Sequence, residues 1–183
     1  MTYTSILHIW KQETFGIFSR LITKYERSEG IWMDYIHYLR QYIGTKPIIA
    51  VGAAVIVMNE NEEILLQLQS ETNDWRIPGG TMEMGDSFEE TAKKVLFEET
   101  GLYPSELRLA ALASGSEMYY QYPHGDEVYN ATAVYRALNI MGELKQNEES
   151  KNLQYFSIYD LPQLNYITFK LLEKAGIIHV ETV

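Results

Sequence analysis

The sequence predicts an α/β protein, a mixed sheet between helices with a helical extension at its N-terminus. Three observations carry that prediction. Between Ile48 and Ile158 several strand-type segments recur. One helix with strong start and stop signals interrupts them, from about Ser87 to Thr100. A second helical pattern, Ile167–Ala175, closes the domain before Gly176.

The elements follow in order. Phe15, Phe18, Ile22 and Tyr25 are spaced three and four apart, so residues 1–32 carry a helix with one apolar face that Gly30 ends. Asp34 caps a second helix to Ile43, with Ile36, Leu39 and Ile43 on one side and Gly44 as its stop. Residues 1–44 therefore read as a helical extension and 45–183 as the main domain. Met33 offers an alternative start, which would leave residues 1–32 upstream of it. Ile48–Met58 is apolar enough for a buried strand. The polar turn Asn59–Glu62 then sends Ile64–Gln69 back as a hairpin, with Leu66 and Leu68 on its apolar face and Gln67 and Gln69 on its polar one. Trp75–Pro78 is a short extended piece, because Pro78 disfavours helix at Ile77. Further strands are expected near Arg108–Ser114, Val128–Leu138 and Leu153–Ile158.

Composition narrows the function. The 183 residues suit one domain with a core of its own, and 46% of them are apolar. No cysteine is present, which removes disulfides, zinc–thiolate sites and thiol nucleophiles and fits a cytoplasmic location. A formal charge of −10 repels nucleic-acid backbones, so general nucleic-acid binding is not expected; a small phosphorylated ligand is compatible with it. No stretch reads as a signal peptide or a membrane-spanning helix.

The segment that carries chemistry runs from Gly79 to Leu102. Gly79-Gly80 permits a tight loop with exposed backbone groups. Ser87 with Glu90 forms a capping box, and Gly101 suits a left-handed C-terminal cap. Phe88, Ala92 and Leu96 make the buried stripe. Glu98 and Glu99 sit at the helix C-terminus, against the helix dipole, where stability alone would not place them. Hard oxygen ligands of this kind suit Mg2+ or Mn2+.

This segment resembles the Nudix box: a Gly, five residues, a Glu, seven residues, then Arg-Glu-apolar-any-Glu-Glu-any-Gly-apolar. Gly80, Leu96, Glu98, Glu99, Gly101 and Leu102 match in register. Asp86 stands at the first Glu and Lys94 at the Arg. The lead-in Trp75-Arg76-Ile77-Pro78-Gly79-Gly80 is similar too, and the family-like part covers about Ile48 to Ala175. The resemblance implies an α/β/α sandwich and a hydrolase. Its substrate would be a nucleoside diphosphate linked to another moiety, and water would attack phosphorus. It also implies Mg2+ or Mn2+ held by the Gly80 carbonyl, Glu98 and Glu99, with Glu98 and Glu99 as the catalytic carboxylates, and it allows a homodimer.

One position departs. The family has Glu where this chain has Val95, which shares a helix face with Glu98 and Glu99 at i, i+3 and i+4. Two readings follow. In one, a carboxylate from elsewhere supports hydrolysis, drawn from Glu83, Asp86, Glu117, Asp126, Glu127, Glu148 and Glu149. In the other, the domain binds a nucleotide-like ligand or a protein without turnover, and Val95 only extends the core. Arg76 is a candidate phosphate contact or a surface ion pair. Tyr119 and Tyr120, in an aromatic loop from Ser116 to Glu127, are candidates to stack a base, and Gln67 is a further substrate-binding candidate. The histidines show no metal-ligand spacing; His124 is the one within that aromatic loop.

Overall fold

The computed structural model describes residues 35–146 and 150–179. The helix expected around Phe15–Tyr25, the capping residue Asp34, and the acids Glu148 and Glu149 lie outside the described residues. The compact unit that holds the described residues is Asp34–Val183.

Among the described residues there are three helices and eight strands: α1 (Tyr35–Ile43), β1 (Ile48–Ile56), β2 (Glu63–Gln69), β3 (Trp75–Arg76), β4 (Gly79–Thr81), α2 (Phe88–Thr100), β5 (Leu102–Ala113), β6 (Tyr119–Gln121), β7 (Glu127–Gly142), β8 (Ser150–Ser157) and α3 (Tyr166–Lys174). A 3-10 turn, Ser116–Met118, precedes β6. One sheet runs β4-β1-β7-β5, with β6 beside β7. It is mixed, because β1 and β7 are parallel while the other pairs are antiparallel. The second sheet, β3-β2-β8, is antiparallel throughout.

Alternation along β1 builds two cores. Ala53, Val55 and Val57 face Ala92 and Leu96 of α2; Ala54 and Ile56 face Leu171 and Leu172 of α3. A sheet buried on both faces between helices is the expected α/β/α sandwich. The buried stripe of α2 is as expected, with Ala92 and Leu96 fully buried and Phe88 packed at the edge.

The helix signals hold in detail. The Ser87 hydroxyl accepts from the Glu90 amide at 3.2 Å, and the Glu90 carboxylate accepts from the Ser87 amide at 2.9 Å. Gly101 ends α2 at φ 73°, and a Cβ there would come within 2.7 Å of the Glu143 carbonyl oxygen. Asn165 caps α3 by accepting from Ile167 N at 2.9 Å. Along α1, Ile36, Leu39 and Ile43 are half-buried, the face the spacing predicted. Arg40 ties the helix down through Asp126 Oδ2 at 3.0 Å and the Glu127 carbonyl at 2.8 Å.

The expected hairpin forms only next to its turn: Met58 and Ile64 bridge antiparallel, Asn59 N donates to the Glu63 carbonyl at 3.0 Å and Leu65 N to the Val57 carbonyl at 2.9 Å, while β1 and β2 themselves belong to different sheets. After the turn at Asn59, β2 crosses over to pair with β8 and β3 instead. Its two faces are consequently both covered: Ile64, Leu65, Leu66 and Gln67 are all 0% exposed. The alternation of Leu and Gln therefore does not mark a solvated face, and Gln67 is an interior side chain. Strands β5 and β7 run longer than expected, because they pair with each other from Leu102–Gly142 to Ala113–Thr132.

Candidate active site

The box loop is β4, laid antiparallel on β1 with Ala53 opposite Gly80. It approaches so closely that a Cβ on Gly52 would collide with the Gly80 carbonyl oxygen. Glycine at position 52 is thus what lets the loop lie flat on the sheet. On the loop's other side stands α2, and Val95 is the contact: a Cβ on Gly80 would lie 2.9 Å from Val95 Cγ1. Val95 is buried, so at the position where the family carries Glu this chain places a methyl group against the loop.

Glu99 is buried beside it, whereas Glu98 is exposed. Glu99 Oε1 accepts a charge-assisted hydrogen bond from Arg76 Nη2, and Oε2 accepts from the Gly79 amide at 3.0 Å. Arg76 Nη1 donates to the Gly79 carbonyl at 2.6 Å. Arg76 is therefore a clamp, its planar fork joining the lead-in loop to the helix carboxylate. Of the two readings for Arg76, ion pairing is the one visible, and the pair is largely buried: side-chain exposure is 23% for Arg76 and 10% for Glu99.

A cavity of about 260 Å³ opens over the loop. Its floor is Gly52, Gly79, Gly80 and Thr81, its walls include Arg76, Gln69, Tyr120, Tyr122, Asn130, Thr132 and Asn165, and Thr168 and Leu171 of α3 close one side. A shallower cavity of about 610 Å³ adjoins it, sharing Tyr120 and Asn165 as a wall and continuing along Leu161–Tyr166. Tyr120 and Tyr122 meet edge to face, with centroids 5.0 Å apart, and Tyr122 stacks on His124 at 5.3 Å. Burial pushes the hydroxyl pKa values of both Tyr120 and Tyr122 up, so each stays a neutral donor.

The expected site residues divide on this geometry. Arg76, Gly80 and Tyr120 line the cavity. Tyr119 points the other way, because neighbours in a strand face opposite sides. It packs on Tyr129 and donates to Glu127 at 2.6 Å. Gln67 lies opposite Arg76 in the β2–β3 register but is interior and does not line the cavity. Sequence reasoning missed Tyr122, Asn130, Thr132 and Asn165. The period of two from Tyr120 to Tyr122 was the available signal for the first; the others carry no motif.

The NUDIX domain family matches residues 49–175 of this sequence. The chain belongs to the Nudix family of pyrophosphohydrolases. It is 46% identical over 50 residues to a putative 8-oxo-dGTP diphosphatase of Bacillus subtilis, a match spanning 27% of this chain and 34% of that one. It is 26% identical over 132 residues to an ADP-ribose pyrophosphatase of Methanocaldococcus jannaschii, covering 69% of this chain and 72% of the relative. The crystal structure of a MutT NUDIX hydrolase from Burkholderia pseudomallei superposes with a TM-score of 0.59 at 24% identity, over 70% of this chain and 98% of that one, which is a likeness of fold.

The family implies a divalent cation on the box helix, and the donor set here does not fit one. Both oxygens of Glu99 are already engaged, Val95 offers no donor, and the other expected carboxylate, Glu98, is exposed on the surface. Among the described residues no group of three or more His, Cys, Asp or Glu could hold a metal ion. Four of the acids considered as replacements are engaged elsewhere: Glu83 accepts from the Tyr35 amide, Glu117 pairs with Lys174, Asp126 with Arg40, and Glu127 with Tyr119. Lys174, through its hydrogen bond and its charge, holds the Glu117 carboxyl below the ordinary range. No helix of the described residues is long and apolar enough to cross a membrane.

Proposed function

We propose that this chain binds a nucleoside diphosphate joined to a second group and hydrolyses its pyrophosphate bond, at a rate well below that of a complete Nudix box. The observation that carries the reading is the cavity itself: the box loop forms its floor, Arg76 and two tyrosines its walls, and an adjoining cavity shares a wall with it. Phosphates lie over Gly79-Gly80 and Arg76, a base or sugar stacks against Tyr120 and Tyr122, and the second group occupies the adjoining cavity. ADP-ribose and 8-oxo-dGTP, the substrates in the names of the two relatives, are the first compounds to try.

The engagement of Glu99 and the packing of Val95 on Gly80 favour a second reading, ligand binding without turnover. One assay separates the two. A panel of nucleoside diphosphate derivatives is incubated with Mg2+ or Mn2+, and phosphate-containing products are measured for the native chain, Val95→Glu and Glu99→Gln. Slow native turnover that Glu99→Gln abolishes supports the hydrolase. Turnover only in Val95→Glu supports the binding module, and native turnover untouched by Glu99→Gln overturns the assignment of the site. Loss of a carboxylate at such a position commonly costs roughly two to four powers of ten in rate.

We place the chain in the cytoplasm. We also expect a homodimer, a reading supported by the exposed side chains Ile49, Leu109 and Leu112 on one face of the larger sheet. Sedimentation velocity of the full chain tests the latter.

A further inference from the structure

We infer that the guanidinium of Arg76 takes over, in this chain, the place of the divalent cation at the box helix, so that the ligand's diphosphate is recognised without a divalent cation. The inference rests on the ligand class proposed above and concerns how that class is held.

A cation on the box helix joins three things: a helix carboxylate, the box loop and the phosphates. Arg76 already joins the first two, through Glu99 and the Gly79 carbonyl, and it lines the cavity where the third would lie. A second cation on Glu99 would have to share its oxygens with Arg76 and stand beside a like charge. Val95 closes the remaining approach with a methyl group against Gly80.

Donors beside Arg76 are unmet, although Glu71 puts one carboxylate in the cavity lining. Arg76 Nε and Gln69 Nε2 on the wall, and both amide atoms of the interior Gln67 behind them, are buried with no hydrogen-bond partner among the described residues. Buried donors left unmet are costly, and this group holds three of them with a single unmet acceptor, Gln67 Oε1. Gln67 lies opposite Arg76 in register, and Gln69 and Arg76 both line the cavity. Phosphate oxygens are acceptors only, so a small rotation of Gln69 turns an unmet donor into a phosphate contact. The donors for an anion are therefore built from side chains, with the charge of Arg76 shared with Glu99.

Titration calorimetry of the full chain with ADP-ribose, in excess EDTA and in excess Mg2+, tests this. The expected result is an affinity that agrees within about threefold between the two buffers. Gln69→Leu, which leaves the Arg76–Glu99 clamp in place, is expected to weaken binding by roughly tenfold to a hundredfold in both, the worth of one hydrogen bond to a charged group. Arg76→Lys keeps the charge but loses the fork and is expected to weaken binding by a similar factor. Binding that appears only with Mg2+, or that falls more than about tenfold in EDTA, overturns the inference and leaves the proposed ligand class standing. Absence of binding in both buffers removes the ligand class and the inference together.

Discussion

The two halves of α2 hold different things. Its first turn meets the requirements of an isolated helix: Ser87 and Glu90 cap each other, Glu89 and Glu90 favour the positive end of the dipole, and Tyr135 donates to Glu89 at 2.7 Å. Its last turns hold the box loop instead, with Val95 against Gly80 and Glu99 between Arg76 and the Gly79 amide. The comparison teaches that loop and helix can be joined by an arginine, a backbone amide and a methyl group.

The C-terminal half is where a single change should cost most. Arg76→Ala leaves the carboxylate of Glu99 buried without its cation and is expected to lower stability by about 3 kcal/mol, read from urea denaturation. Adding Glu99→Gln should restore a large part of that loss, because the neutral amide no longer needs a counter-charge. Two losses that simply add would mean that the clamp is not a unit.

At the other end the expected effect is smaller. Ser87→Ala removes the cap and should cost about 1 kcal/mol. It should leave the affinity for ADP-ribose unchanged, since Ser87 does not line the cavity. A drop in affinity equal to that of Gln69→Leu would break the division between the halves.

Tyr135 gives an effect that is smallest near pH 10 and confined to alkaline pH. Burial, then the hydrogen bond and charge of Glu89, push its pKa up to about 12. The unfolded chain releases this proton near the ordinary tyrosine value of about 10, while the folded chain keeps it. The contribution is therefore complete below that value and is lost as pH rises through about 12. Thermal melts from neutral to strongly alkaline pH should show this loss, a few tenths of a kcal/mol near its onset, and Tyr135→Phe should flatten it.

Much of this was legible in the sequence, and the illegible parts share a cause. Local signals read well: Ser87 and Glu90, Gly101, the Ala92–Leu96 stripe and Gly176 each act through neighbours a turn away. The pairing of β2 did not, because an alternation of Leu and Gln describes a half-solvated strand and a strand buried by a distant β8 equally well. The site shows the same division. Gly80, Glu98 and Glu99 were singled out by spacing along one segment, and of these Gly80 lines the cavity. The engagement of Glu99 by Arg76, and the arrival of Tyr122, Asn130 and Asn165 at one cavity, depend on crossovers between two sheets. Val95 stood out as a missing carboxylate; that it also fills the space over Gly80 needed the fold.

The most direct test of the account is a titration of the full chain with Mn2+, followed by electron paramagnetic resonance of the free ion, for the native sequence and for Val95→Glu. The account predicts no saturable site in the native chain below roughly millimolar Mn2+, and a new site in Val95→Glu, where three carboxylates would share the helix face. Micromolar binding of one or more ions by the native chain, lost in Glu99→Gln, would contradict it.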